Sequence, residues 1–284
     1  MKNWVKFSIA GFSLVGAGIG FGLWAGVSRW NHEIDRLVQA LKRNASTQEG
    51  KRVSFKDFKS LPAPVAKYFR TILKEGQPLI DTARIDHVGE FKLSDKWIPF
   101  HSEEYFSAHP PAFIWNAEMR MNPLMKIRVR DGYWDRKGSM LAKMLSLFTV
   151  VHATGDAELA AGALQRYLAE SPWQPTALLP AENLQWSAID ERKAMATLTD
   201  GATSVSLEFD FNAAGEITGT YSPARFKEQN GKYEPLPWRG RFWNYAERSG
   251  MRIPIEGEVA WQTPEGLQPY WRGRIVKAEF AFSK

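Results

Sequence analysis

The chain has 284 residues, 44% hydrophobic and 13% aromatic, enough to bury a sizeable core, which excludes a chain disordered throughout. It contains no cysteine, so disulfides, thiol nucleophiles and thiolate metal sites are excluded. The formal charge of +6 arises within the first 60 residues, because the region from Leu61 onward holds 27 basic and 27 acidic residues; a nucleic-acid-binding domain should carry its own basic excess.

Phe7 to Ser28 is a run of 22 uncharged residues, and roughly 20 suffice for a helix to cross the hydrocarbon core. A transmembrane anchor is therefore expected over residues 1–30, with Trp4, Trp24 and Trp30 near the headgroups, giving a single-pass protein of the cell membrane. A cleaved signal peptide would show a shorter apolar stretch and a small-x-small exit site before Arg29. Gly20, Gly22 and Ala25 match a dinucleotide loop formally, but no strand precedes them, so they read as part of this helix. Gly16, Gly20, Gly22 and Gly26 supply small-xxx-small spacings: self-association through them is one reading, a merely glycine-rich span the other. Lys2 and Lys6 favour a cytoplasmic start, whereas Arg29, Arg36, Lys42 and Arg43 favour the reverse. A short tail before a long apolar run behaves as a signal anchor, which places the globular domain outside the cytoplasm.

Residues 31–60 read as a juxtamembrane amphipathic helix and a linker. Ile34, Leu37, Val38 and Leu41 recur at helical spacing among Arg36, Lys42 and Arg43. The stripe either lies along anionic lipid or continues the anchor helix. Leu61-Pro-Ala-Pro opens a single β-rich domain, 61–284, whose first element is a helix carrying Val65, Phe69, Ile72 and Leu73 and closed by Gly76. Alternation then predicts strands over Thr82 to Leu93, Trp97 to Ser107, Ala112 to Met121 and Lys126 to Trp134. Asp156 caps a second helix through Glu170, which bears Leu159, Ala163, Leu164, Tyr167 and Leu168. Further strands are predicted over Leu184 to Ile189, Ala194 to Thr199, Thr203 to Phe211, Glu216 to Tyr221, Arg225 to Gln229, Trp238 to Glu247, Arg252 to Gln262 and Tyr270 to Phe282.

About a dozen strands with two helices point to an antiparallel sheet, since parallel pairing needs a crossover between strands. The expected fold class is α+β, mostly β: a large curled, half-barrel-like antiparallel sheet with two packed helices, preceded by one transmembrane helix. Within the later strands, Arg239 and Arg241, Glu256 and Glu258, and Arg272 and Arg274 each stand two apart. If these strands are neighbours, a glutamate row lies between two arginine rows. It would be a solvent-facing ladder, each pair contributing about 0.2–1 kcal/mol, or the lining of a concave cavity that binds an anionic head group through arginine. The interleaved aromatics Trp238, Phe242, Trp243, Tyr245, Tyr270 and Trp271 would also suit single-stranded nucleic acid, but the intervening glutamates and zero domain charge argue against that.

Catalytic signatures are sparse. The five histidines never fall three or four apart, and neither Gly-x-Ser-x-Gly nor a phosphate loop occurs, so no metal and no cofactor is expected. Asp131-Gly-Tyr-Trp-Asp135 lacks calcium-loop spacing and reads as a turn. Glu170 and Trp173 form a carboxylate–indole pair at a helix end: a raised pKa would make Glu170 an acid or base, and capping or packing is the plainer use.

Several segments resemble a known family. Gly89-Glu-Phe, Trp97-Ile-Pro-Phe, Pro111-Ala-Phe-Ile-Trp-Asn-Ala, Arg128-Val-Arg-Asp-Gly and Arg166-Tyr-Leu-Ala-Glu170 are similar to a widespread bacterial family of uncharacterised, membrane-anchored proteins, a domain of unknown function. Trp173-x-Pro-Thr-Ala-Leu-Leu179, Gly250-Met-Arg-Ile-Pro and Tyr270-Trp-Arg-Gly-Arg274 continue the match, from about Leu61 to Lys277. That family's plan looks like the lipoprotein-carrier half-barrel, which shelters acyl chains. The resemblance implies a fold and no established activity. Three readings stand: a membrane-tethered module binding a lipid or lipidated partner, with Trp173 and the Arg/Glu rows as ligand contacts; an enzyme acting on a membrane-proximal anionic substrate through Glu170; and a structural envelope protein.

Overall fold

A computed structural model describes residues 2–46, 48–229 and 231–284, with side chains from residue 20 onward. Among the described residues thirteen strands form one antiparallel sheet, in two meanders that run outward from a central seam. The first meander comprises β1 (Ile80–Leu93), β2 (Lys96–Ser107), β3 (Ala112–Asn122), β4 (Met125–Trp134), β5 (Lys137–Met144) and β6 (Phe148–Thr154). The second comprises β7 (Leu184–Ala188), β8 (Lys193–Asp200), β9 (Thr203–Phe211), β10 (Ile217–Gln229), β11 (Lys232–Arg248), β12 (Met251–Thr263) and β13 (Gly266–Phe282). They join where β1 pairs with β13, Ile80 opposite Phe282 and Phe91 opposite Trp271.

The sheet must curl. Helix α3 (Ala157–Glu170) packs on both β5 and β9, which stand second and eleventh in the strand order. Flat strands that far apart would be separated by about 43 Å, whereas a helix with its side chains is only about 10–12 Å across. The bend is eased by glycine: Gly89, Gly273 and Gly257 face one another across β1, β13 and β12. A Cβ on Gly89 would lie 2.1 Å from the Arg272 carbonyl oxygen, so the backbones approach more closely than any other residue permits.

The concave side holds the main core. Helix α2 (Ala63–Ile72) starts with Pro64 in its first turn and buries Val65, Tyr68, Phe69 and Ile72 there. Helix α3 adds Ala163, Leu164, Tyr167 and Leu168, and the two short helical turns Ser171–Trp173 and Pro175–Leu178 follow it into the interior.

The convex side corrects the expectation at the amino terminus. Helix α1 (Lys2–Asn44) is continuous, and among the described residues no helix is long and apolar enough to cross a membrane. Within the predicted span, residues 7–19 lie outside the described side chains. Beyond them the helix becomes amphipathic: Arg29, Glu33, Asp35 and Arg36 interrupt it, while Trp30, Ile34, Val38 and Leu41 are buried against Tyr105, Ala112, Ile114 and Leu141 on the outer face of β2, β3 and β5. Its apolar stripe is thus covered by protein instead of lipid. The transmembrane anchor, the single-pass membrane localisation and the lipid-facing stripe are accordingly not borne out. Gly26 meets Leu147 and the Ser146 carbonyl, where a Cβ would come within 2.7 Å and 2.9 Å. Nothing lies within 4 Å of a Cβ at Gly20 or Gly22, and Gly16 falls outside the described side chains.

Two strands carried no sequence expectation, β5 and β6, and one strand, β10, spans two predicted ones. An irregularity between Ser222 and Arg225, at Pro223, divides the β10 pattern.

Candidate functional site

The interior row Ile85, Glu104, Trp115, Asp131, Met140 crosses β1 to β5 in register, placing two carboxylates on the concave face on either side of an indole. Helix α3 supplies their counter-charge. Arg166 donates to Glu104 at 2.8 Å, to Asp131 at 2.6 Å and to Glu170, one turn on, at 2.8 Å. Its guanidinium lies over Phe113 and Trp115, 4.8 Å and 5.1 Å from the ring centroids, which fixes the fork between the strands. Burial opposes the Arg166 charge, but Glu170, Glu104 and Asp131 outweigh it and push its pKa up.

One cation serves three carboxylates. Burial, then repulsion from Glu170, raises Glu104 well above the usual carboxylate range against the pull of Arg166. Burial also raises Glu170, with Arg166 opposing. Glu170 Oε2 is closed to solvent and has no hydrogen-bond partner among the described residues. His87 completes the cluster: its Nδ1 is 4.0 Å from Glu104, too long for a hydrogen bond. Burial first, then Arg166, lowers the His87 pKa to about 3, so the ring is neutral. Trp173 lies 4.6 Å from it, and Phe242 and Trp271 surround Trp173 at 5.9 Å and 6.1 Å between ring centroids.

Asp131, Arg166, Glu170 and Trp173 line one end of a cavity of about 640 Å³ between α3 and the concave sheet, with Glu104 and His87 behind them. Trp115, Met140 and Leu159 wall one side, and Trp238, Phe242, Trp261, Tyr270 and Trp271 the other. Trp238 and Trp261 are cross-strand neighbours; Tyr270 stacks on Trp261 at 5.9 Å and accepts the Trp238 indole N–H at 3.0 Å. The exposed residues His152, Asp156, Glu158 and Glu228 rim the opening. Among the described residues no group of three or more His, Asp or Glu side chains is arranged to hold a metal.

The structure separates the sequence-predicted site residues into two sets. Glu170 and Trp173 reach the cavity. β11, β12 and β13 are neighbours, with Arg241 opposite Glu258, Glu258 opposite Arg272 and Glu256 opposite Arg274. Alternation directs these side chains away from buried Trp238, Phe242, Gly257 and Trp271. Arg241 and Glu258 flank Phe242 and Gly257 at the cavity's edge. Arg272 pairs with Glu90 at 2.6 Å and covers Trp97, Arg239 donates to Gln262 at 3.2 Å, and Glu256 accepts from Trp243 at 2.6 Å. Half-exposed pairs of this kind contribute about 0–1 kcal/mol.

Sequence reasoning missed His87, Glu104, Asp131, Arg166 and Arg225. For Glu104 a signal existed, because it interrupts the buried row Ile98, Phe100, Phe106 on one face of β2. For Arg225 there was none: the irregularity at Pro223 shifts the alternation, so Arg225, and not Ala224, follows Ser222 on the inner face.

A family model described as a family of unknown function, DUF6920, matches residues 59–280. No curated protein matches the chain. Among solved structures, a DUF1329 family protein from Desulfovibrio piger is similar at TM-score 0.43 and 6% identity, over 78% of this chain and 94% of that one. A LolA superfamily protein from Nitrosomonas europaea is similar at TM-score 0.41 and 10% identity, over 78% and 94%. A putative outer membrane lipoprotein-sorting protein domain from Vibrio parahaemolyticus follows at TM-score 0.37 and 8% identity, over 70% and 85%.

Proposed function

The chain belongs to DUF6920, a family of unknown function, and from that starting point we propose that it is a binding module that shelters a hydrophobic, lipid-like ligand inside its curled sheet. The supporting observation is the cavity of about 640 Å³ walled by indole and phenyl rings, with charged groups at the Arg166 end, on β10 and around its rim, the size of a small-molecule site. Gly162 gives a direct test. It lies on α3 against the cavity, and a Cβ there meets only the Phe226 carbonyl oxygen, at 3.8 Å. Gly162→Leu fills the space from a helix interior, where leaving glycine gains about 0.5–1 kcal/mol. The wild-type chain takes up a fluorescent acyl probe and Gly162→Leu, equally well folded, does not. Absence of uptake by the wild type, or undiminished uptake by the variant, defeats the reading.

A second reading, an enzyme acting on an anionic substrate, is favoured by one feature: Glu170 reaches the cavity with a raised pKa and a free Oε2, as a general acid or base requires. Its test is Glu170→Gln, which retains probe uptake and loses any turnover found in a substrate screen. Turnover that survives in the variant removes Glu170 from the chemistry.

A further inference from the structure

Strand β10 brings a second pair of charged groups to the cavity, away from the Arg166 cluster. Beyond the irregularity at Pro223, Arg225 and Lys227 share the inner face. The Arg225 guanidinium lies 4.9 Å from the Trp238 ring centroid and the Lys227 ammonium 5.4 Å from that of Trp261. Arg225 Nε and Nη1 are closed to solvent and have no hydrogen-bond partner among the described residues. Neither cation has a carboxylate within 4.0 Å among those residues, although the nearby acids are numerous. Asp131 and Glu170 are engaged by Arg166, and Glu228 accepts the Gly231 backbone N–H at 2.6 Å. Glu234, opposite Lys227 in register, accepts from Gln229 at 3.3 Å. Asp156 and Glu158 stand exposed at the rim.

Two guanidinium donors closed to water and unmet are costly, and cation–π contact offsets only part of that. An anion brought into the cavity would satisfy those donors by charge-assisted hydrogen bonds. The geometry points to a single-chain amphiphile with an anionic head group as the ligand, its head on Arg225 and Lys227 and its chain along the shelf of Trp238, Trp261 and Tyr270. This inference rests on the binding reading above and adds the class of ligand.

The test titrates the full chain at pH 8 with decanoate, decyl phosphate and decanol, followed by calorimetry. Decanoate or decyl phosphate binds at least tenfold tighter than decanol, and whichever of the two is tighter identifies a carboxylate or a phosphate head. Arg225→Met weakens the anionic ligands at least tenfold, to the level of decanol, with decanol binding unchanged as the control for an intact cavity; Arg225→Lys retains part of the preference. Equal affinity of the wild type for decanoate, decyl phosphate and decanol overturns the head-group assignment and leaves the binding reading standing, a comparison that needs no variant to fold. Uptake of none of the three overturns both.

Discussion

Replacing His87 with phenylalanine isolates the electrical state of the buried cluster. The imidazole is 1% exposed, with neither nitrogen hydrogen-bonded among the described residues, between Trp173 at 4.6 Å and Trp271 at 5.8 Å. In the unfolded chain this ring takes up a proton below about 6.5; in the folded chain burial and Arg166 delay that to about 3. Between those values the unfolded state binds more protons, so stability falls as pH falls. At 1.36 kcal/mol for each pH unit, the loss attributable to His87 between pH 7 and pH 5 is about 2 kcal/mol. Phenylalanine fills much the same ring volume and does not titrate. Urea unfolding of both proteins at pH 5, 6 and 7, followed by tryptophan fluorescence, therefore shows the wild type losing about 2 kcal/mol relative to His87→Phe across that range. Curves that stay parallel from pH 7 to pH 5 would refute a neutral His87, and a side-chain NMR titration of His87 above pH 5 would do the same.

Three further outcomes follow from the cluster, the seam and α3. Arg166→Met leaves Glu104, Asp131 and Glu170 without their shared cation and lowers stability by about 3–5 kcal/mol at pH 7, read from the urea midpoint; a change under 1 kcal/mol would mean that the carboxylates do not depend on it. Gly89→Ala drives a Cβ into backbone, 2.1 Å from the Arg272 oxygen and 2.7 Å from the Gly273 Cα, and costs at least about 1–3 kcal/mol. Gly162→Ala, in open space on α3, stabilises by about 0.5–1 kcal/mol, and equal thermal shifts for the two glycine variants would contradict the close approach at Gly89.

Much of the sheet was legible because its strands alternate strongly. Thr203–Phe211 is found with its predicted bounds, and the adjacency of β11, β12 and β13 follows from the order of hairpins. Strand β5 escaped because Lys137–Met144 is built from lysine, glycine, serine, methionine, leucine and alanine, residues that do not advertise a strand; β6 is exposed over most of its length and has no buried face to alternate. The stripe that follows the uncharged run was misread because helical spacing alone does not say what covers a helix, and here Trp30, Ile34, Val38 and Leu41 are covered by β2, β3 and β5, distant in sequence. At the candidate site, Glu170 and Trp173 stood out as a local pair. The partners of Glu170 did not, since Glu104, Asp131 and Arg166 meet only through strand register, and Arg225 faces inward only because a proline shifts the count along β10.

The seam between β1 and β13 also has a kinetic meaning. Every other ladder in the sheet joins strands that are neighbours in the chain, whereas this one brings Ile80 to Phe282. Closing so long a loop carries an entropy cost that local hairpins escape, which sets this step late in assembly. Each meander can gather itself first, and the two then meet like the halves of a shell. Because Trp115 and Met140 belong to one half and Trp238 and Trp261 to the other, a bound guest would bridge the join and slow its reopening.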